Sequence, residues 1–426
     1  MAGAFFISTF FNFFYFSVSA LLWGWFLGGS PLLASSFEHG FAVQSDLALS
    51  YGSPNLKPWQ EGGRYLLSDS TARQDPSGIG VPHLAFLWTS KRESNRFRFH
   101  LRYEPNSDTP LGLVEGEYRK RWNLGPQQRL ILRAGMLIPS ISVEHRSKGW
   151  ELEHGIRPSG LNTWVGEELR PLAIEARYQG PFGKELNWDA TFALHGFNDT
   201  AGTVLAWRGW ALHTHLTHSN DRLRFQTIIP TQNTPVGESG RTFVEIDQRP
   251  GVYGGVGLGK RSAWSMRLFY FDSMGDATQL NVRNEYAWDT QFINLSCKWR
   301  WTPKLELKTQ GMSGLTRMGP ISAPAVKNRF QAAMVQVNTN LGWHCTGRLG
   351  VDFFEVEDLD GTVDDNTSRG RAFRISVQRE FGKHQVITEW VSLENWRQGN
   401  APISSPGTRQ HLFQIRYRLK MEGGLF

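Results

Sequence analysis

From Arg96 to Tyr103 the chain reads RFRFHLRY, with Phe97, Phe99, Leu101 and Tyr103 on one side of a period-two alternation and Arg96, Arg98, His100 and Arg102 on the other. That spacing predicts a β-strand with one apolar and one basic face. The alternation recurs. Val114, Gly116 and Tyr118 alternate with Glu115, Glu117, Arg119 and Arg121; Leu172, Ile174, Ala176 and Tyr178 with Glu175 and Arg177; Leu186, Trp188, Ala190, Phe192 and Leu194 with Asn187, Asp189, Thr191 and His195. Further on, Ile293, Leu295, Cys297, Trp299 and Trp301 oppose Asn294, Ser296, Lys298 and Arg300. Leu349, Val351 and Phe353 oppose Arg348 and Asp352; Phe373, Ile375 and Val377 oppose Arg374; Phe413, Ile415, Tyr417 and Leu419 oppose Arg416, Arg418 and Lys420. A soluble sheet can turn arginines to bulk water, but this many strands would need one common core. In a transmembrane barrel the apolar face meets lipid and the polar face lines the lumen. A one-residue slip of Arg96 to Tyr103 would turn three arginines to lipid at about 2–4 kcal/mol each, roughly 6–12 kcal/mol in all, which rivals the stability of a whole domain.

The connections carry a second period. Short polar turns are expected at Lys91 to Asn95, Asn123 to Gln128, Gly180 to Glu185, Ser219 to Asp221, Gly259 to Ser262, Thr302 to Pro303, Gly342 to His344 and Gly382 to Lys383. Longer stretches lie between them at Gly52 to Gly80, Pro139 to Arg170, Pro230 to Pro250, Ser313 to Asn328, Glu357 to Gly370 and Asn395 to Arg409. Short turns at one end and long loops at the other predict an all-β fold, a transmembrane antiparallel β-barrel of about 18 strands. Sixteen is the alternative, because Ser273 to Glu285 and the region around Pro230 are hard to delimit. Three features sit awkwardly in this scheme. Tyr286, Trp288 and Phe292 have the parity opposite to Ile293 to Trp301, which requires a bulge or inward aromatics. Arg208 shares a stretch with Trp210 and Leu212 at outward parity, a position suited to the headgroup level. Met421 to Leu425 break the parity ahead of the terminal Phe426, so an irregular tail is expected there.

Met1 to Phe37 carries no charged side chain and is almost wholly apolar and aromatic. Residues 1–36 read as a signal peptide cleaved after Ser36, with Ala34, Ser35 and Ser36 as the small residues before the cut, and residues 37–426 as the barrel. The run is also long enough to span a bilayer as an uncleaved anchor, and the first basic residue of the chain is Lys57 rather than one of an early basic region. After it no apolar run approaches a spanning helix, so the remaining chain must enter lipid as strands, which satisfy their backbone groups by closing into a barrel.

Composition fits this picture. Aromatic residues are 13% of the 426, with 17 Trp and 28 Phe, yet mean hydropathy is −0.38, as outer aromatic girdles around a polar lumen require. The formal charge of +7 is spread through the strands without a patch or tail, which argues against a nucleic-acid partner. Cys297 and Cys345 are too few for a disulfide framework and lack zinc-ligand spacing.

Several segments resemble a group of porin-like outer-membrane proteins of proteobacteria that are distantly similar to the phosphate-selective porins. The resemblance rests on Pro139 to Tyr178 (PSISVEHRSKGWELEHGIRPSGLNTWVGEELRPLAIEARY), supported by Glu245 to Gly255, Tyr286 to Phe292, Gln310 to Gly319 and Glu389 to Arg397. It implies an outer-membrane pore of a Gram-negative cell with periplasmic termini, in contact with lipid and open to assembly as a homotrimer. No clustered lysine arm is present, so phosphate is not carried over as the solute.

The candidate pore lining is basic: Arg98, Arg102, Arg119, Arg121, Arg133, Arg177, Lys298, Arg300, Arg348, Arg374, Arg416 and Arg418. Such a lining favours anions, unless the basic groups merely pair with Glu115, Glu117, Glu175 and Asp352 on neighbouring strands. The loop Pro139 to Arg170, with Trp150, Trp164, Glu167 and Glu168, is long enough to fold inward as a constriction or to cover the mouth. His213 and His215 are expected on one strand face, within reach of a carboxylate or a metal, but a third ligand at the right spacing is not evident. His218, Ser219 and Asn220 invite a hydrolase reading, yet fall in an expected periplasmic turn where no lipid substrate would sit. The glycines of GVYGGVGLG read as a strand relieved of bulk. The expectation is therefore a passive diffusion pore for small hydrophilic solutes with anion preference, with no catalytic residue, metal or cofactor. A phospholipase-like hydrolase and a structural outer-membrane protein are the alternatives.

Overall fold

The computed structural model describes residues 38–53, 77–105, 107, 109–145, 148–224, 239–260, 262–321, 324–361, 367–397 and 408–425. The export segment expected over residues 1–36, with its cleavage point, lies outside these, as do Pro230 and Phe426. The chain forms strands β1 (Glu38–Gly52), β2 (Gly78–Gly80), β3 (Leu84–Arg92), β4 (Asn95–Tyr103), β5 (Leu111–Asn123) and β6 (Arg129–Met136). Helix α1 (Gly160–Glu168) follows, then β7 (Leu172–Phe182), β8 (Leu186–Gly196), helix α2 (Thr203–Trp207) and the small ladder of β9 (Arg222–Arg224) with β10 (Ser239–Arg241). The second half is a meander of β11 (Gly251–Lys260), β12 (Trp264–Asp272), β13 (Asp289–Thr302), β14 (Leu305–Met318), β15 (Val326–Gly342), β16 (Cys345–Asp358), β17 (Ser368–Phe381), β18 (His384–Arg397) and β19 (Thr408–Leu425).

All pairings are antiparallel, β8 joins β11, and β19 closes the ring on β1. Because β2 and β3 both lie against β1 and make one interrupted strand, the 17-stranded sheet is a closed barrel of sixteen strands. Each barrel strand is flanked on both sides, which leaves no free edge and meets the condition lipid imposes. Hairpin turns after β3, β5, β7, β11, β13, β15 and β17 share one end of the barrel with the start of β1 and the end of β19, where His39 lies opposite Leu425.

Sixteen is the alternative of the two expected strand counts, and one misplaced hairpin accounts for the difference from 18. The HTHLTHSN stretch and the turn at Ser219 to Asp221 belong to the single connection from β8 to β11. Ser219 lies beside Leu113 near the start of β5, at the long-loop end and not at the hairpin end: its N–H donates to the Leu113 carbonyl at 2.9 Å.

The expected alternation is otherwise observed, with Leu47, Leu49, Leu101, Leu194, Ile293, Leu295 and Ile375 exposed on the outer face. Aromatics flank this belt, with Trp122, Phe182, Trp299, Trp301 and Phe381 toward the hairpins and Tyr51, Tyr103, Phe192, Tyr270 and Phe353 toward the long loops. Two local departures have simple causes. Pairing steps from His100 opposite Glu115 to Leu101 opposite Leu113, so Val114 is the extra residue of a bulge and is buried rather than outward. Met421 to Leu425, expected as an irregular tail, continue β19 in register with Val43 to His39 of β1, whose backbone groups they satisfy.

Ile375, 45% exposed at the centre of β17, tests the lipid face. Ile375→Arg is expected to destabilise the barrel by about 2–4 kcal/mol, read by denaturant titration in lipid vesicles. An unchanged midpoint would place that face away from lipid.

Candidate functional site

The connection between β6 and β7 runs through the lumen. Val143 donates its N–H to Gln310 of β14 at 3.1 Å, and Ile156 and Arg157 donate theirs to Glu389 of β18 at 2.9 and 3.1 Å. On the neighbouring strand β19, Arg418 meets Glu151 at 3.4 Å. Within this loop Ser159 caps α1 by accepting the Asn162 N–H, and every residue of the helix is buried. Trp164 stands edge-on to Trp210 and Phe292, with ring centroids 6.0 and 5.5 Å away, and 5.5 Å from Phe330. This apolar cluster explains the parity of Trp288 and Phe292: both are buried inward aromatics, and Phe292 needs no bulge because it packs against the loop. Trp150 stacks on His145 at 4.2 Å, half-buried in the same loop.

The connection from β8 to β11 lies against the first. Glu168 accepts the Trp164 Nε1–H at 2.5 Å, the Gly202 N–H at 3.1 Å and the Val204 N–H at 2.8 Å, so it caps α2 from the neighbouring loop. Burial pushes its carboxyl up to about 8. Gly202, at φ 103°, has no space for a side chain, because a Cβ would run into the Thr290 and Thr316 hydroxyls. Glu167 is held by Arg208 at 2.6 Å and His213 at 3.2 Å. Arg208 is thus buried in the lumen rather than placed at the headgroups, since its partner is a loop carboxylate. His213 and His215 do not share a strand face. His215 bridges Glu104 and Asp221, the latter at 3.2 Å, and His218 also meets Asp221, at 3.3 Å. Burial opposes the charge on His215, but these two carboxylates hold its pKa up at about 9. Ser219 Oγ accepts the Leu113 N–H and donates to Asn220.

The twelve basic residues expected along the lumen all stand at inward parity, but most are engaged. Arg98 reaches Glu115 at 2.7 Å, Arg119 reaches Glu117 at 3.1 Å, and Arg133 sits among Glu115, Glu117 and Glu175 at 3.3, 2.6 and 3.0 Å. Arg177 meets Asp189 at 3.1 Å and Lys298 meets Glu306 at 2.5 Å. Arg416 and Arg418 share Asp46 at 3.1 and 2.9 Å. Arg121 and Arg300 are exposed near the hairpin-end mouth. The inner loop supplies the acids that the strand pattern did not reveal. Glu144 takes Arg348 at 2.9 Å and Arg374 at 3.3 Å; Glu151 takes Arg418 and, at 3.7 Å, Arg102, which also holds Glu104 at 2.6 Å. Glu153 takes Lys308 at 2.7 Å. Burial alone would raise the Glu144 carboxyl, yet Arg374 and Arg348 hold it well below the usual range.

Two further features stand apart from the expected residues. Asp199, Glu245 and Asp247, all in the β8 to β11 connection, bring one carboxylate oxygen each within 4.8 Å of one another. Burial, then the charges of Glu245 and Asp247, raise Asp199 to about 8. At the hairpin end a cavity of about 860 Å³ opens against β6 to β8 and β11 to β13, roofed by Ser140 to Val143 of the inner loop. The glycine run of β11 marked its position in the sequence: Gly255, Gly257 and Gly259 pair with the inward Thr191, Asp189 and Asn187, leaving this wall without side chains.

Glu144→Gln removes the carboxylate shared by two buried guanidinium groups and is expected to cost about 3–5 kcal/mol, whereas Glu153→Gln, at a side chain 39% exposed whose buried partner Lys308 keeps Glu306 at 3.4 Å, should cost about 1 kcal/mol. Denaturant midpoints of the refolded full chain check the contrast. The Asp199 trio gives a pH dependence of definite sign. Its folded pKa lies above the unfolded one, so its contribution is full below about pH 4 and is lost as pH rises through about 8. The β8 to β11 connection should be nicked faster by protease at pH 9 than at pH 5, normalised to denatured chain, and Asp199→Asn should flatten that dependence.

No family model matches the chain, and no curated protein matches it. Among solved structures it is similar to the anion-selective porin from Comamonas acidovorans, with TM-score 0.52 and 12% identity over 90% of this chain and 100% of that one. It is also similar to the outer-membrane channel DcaP of Acinetobacter baumannii, with TM-score 0.53 and 8% identity over 90% and 97%. A third is in-vitro folded OmpT, an outer-membrane protein of Vibrio cholerae in trimer form, with TM-score 0.51 and 8% identity over 91% and 100%. At such identities the likeness is one of fold, and with the apolar belt and the closed ring it makes this chain a porin-like transmembrane β-barrel.

Proposed function

We propose that the protein is a passive diffusion channel for small hydrophilic solutes that favours anions. The observation that carries this reading is the cavity at the hairpin end, whose wall bears Arg129, Arg177, Lys260, Arg267, Lys298 and Arg300 and, of the acids among the described residues, only Asp189. A low-dielectric wall concentrates such a field along the entry path and raises the local concentration of anions. The two inner connections narrow the remaining lumen, which points to solutes of modest size and to a small unit conductance. The expected assembly is a homotrimer, as described for the OmpT neighbour.

In planar bilayers under a salt gradient the refolded chain should give stable small steps with a reversal potential favouring chloride, and Glu144→Gln should enlarge the steps by loosening the inner loop. Cation preference would remove the anion reading. Electrical silence, together with lipid hydrolysis that disappears in Ser219→Ala, would replace the channel by a hydrolase.

A further inference from the structure

The inner loop treats the two sides of the lumen differently. Toward β14 to β19 it places a carboxylate against the wall's basic groups three times, with Glu144 on Arg348 and Arg374, Glu151 on Arg418, and Glu153 on Lys308, and Glu151 also reaches Arg102 of β4. Toward β6 to β8 and β11 to β13 it presents Ser140, Ile141, Ser142 and Val143, which carry no charge. Among the described residues the basic groups on that side receive no ion pair from the loop, and only Lys298 feels one of its acids, Glu153, at longer range. Arg177 and Arg267 share the single carboxylate of Asp189, Lys298 and Arg300 share Glu306, and among the described residues Arg129 has no ion pair. The Nε atoms of Arg177 and Arg267 are buried without a hydrogen-bond partner.

From this asymmetry we propose that the hairpin-end vestibule is a binding site for a small organic anion rich in hydroxyl groups, a phosphorylated or carboxylated sugar, held in the place where the loop supplies no carboxylate. The inference deepens the reading of the barrel as an anion-favouring channel and rests on it. Three features fix the ligand class. The volume, about 860 Å³, is that of a site for an organic molecule and far exceeds the needs of an inorganic ion. Arg177 and Arg267 present planar forks of donors to a carboxylate or phosphate. Gln179, Asn187, Ser265 and Ser296 add neutral donors and acceptors for hydroxyl groups. The body of the ligand lies along the bare strip of β11, where space is kept by glycine: a Cβ on Gly257 would stand 2.6 Å from Asp189 Oδ2. Asp189 then has a second role beside pairing the two arginines. It competes with the ligand for them and keeps the site weak, so that a bound solute can leave.

Isothermal titration of the refolded full chain in detergent, with glucose 6-phosphate, gluconate and glucose as separate probes, tests the site. At least one of the two anions is expected to bind saturably and about tenfold or more tighter than glucose, as one or two charge-assisted hydrogen bonds require; which one binds better tells phosphate from carboxylate. Arg267→Gln should weaken the anion about tenfold. Asp189→Asn, which retains both guanidinium groups and removes their competitor, should tighten it, an effect that a merely misfolded variant would not produce. Equal binding of glucose and the anions, absence of saturable binding by all three, or weaker binding in Asp189→Asn would overturn the proposal. Chloride-favouring conductance without saturable anion binding overturns this site and leaves the channel reading standing. Tight anion binding by an electrically silent chain supports the site and removes the channel.

Discussion

Arg348 on β16 and Arg374 on β17 are almost wholly withdrawn from solvent, and one loop carboxylate, that of Glu144, is hydrogen-bonded to both. A guanidinium taken out of water without an acid costs several kcal/mol, so a barrel whose inner wall carries this many arginines can be filled only by chain that brings carboxylates with it. The path of the inner loop follows from that requirement. Glu144, Glu151 and Glu153 pin it to β14 through β19, and the Ser159 cap, which both donates to and is ordered by Glu144 at 2.5 Å, starts α1 at the point where the ion pairs have fixed the backbone. Once α1 is placed, Trp164 meets Phe292 and Phe330, and Glu168 is positioned to cap α2 in the other connection.

The wall itself was legible because lipid is an uncompromising solvent. Each strand must put apolar side chains out and can put nearly anything in, so a period of two survives in the residues from Arg96 to Tyr103, Ile293 to Trp301 and Phe373 to Val377. Where the period misled, the cause was local backbone geometry. One extra residue in β5 turned Val114 inward, and no spacing rule distinguishes a bulge from a regular strand until the partner strand is known. The larger of the two expected counts, 18 rather than sixteen, came from Ser219 to Asp221 for a related reason. A polar turn flanked by alternating residues looks the same whether it joins two barrel strands or closes a bend inside the lumen.

The filling of the lumen was far less legible. Glu144, Glu151 and Glu153 look like solvated loop acids, and only the fold brings them to basic residues some 150 to 270 residues later in the chain. One signal did point inward. Trp288 and Phe292 lay on the parity reserved for the lumen, and an aromatic facing a water-filled pore would forfeit roughly 1.5–3 kcal/mol of burial. Inward aromatics on a barrel strand therefore imply something apolar inside the barrel, and the apolar positions of the inner loop, Leu161, Trp164 and Val165, are its counterpart. The histidines show the opposite limit: the carboxylates that His213, His215 and His218 meet come from the loop between β4 and β5, from the inner loop and from their own segment, a combination no local pattern encodes.

The same charge rule that closes one side of the lumen keeps the other side open. Toward β16 to β19 Arg348, Arg374 and Arg418 each find a carboxylate on the loop, and all three are buried. Toward β11 to β13 the wall changes character in two coordinated ways: β11 gives up side chains at Gly255, Gly257 and Gly259, and the loop above gives up charge at Ser140 to Val143. Either change alone would be unproductive, since a bare strip beneath an acidic loop would repel an anion and an uncharged loop over a bulky wall would leave it no room. Together they leave basic groups that share Asp189 and Glu306 with one another and, among the described residues, take no ion pair from the loop. The inner loop thus acts as a template of charge, and where its acids stop marks where a solute can begin.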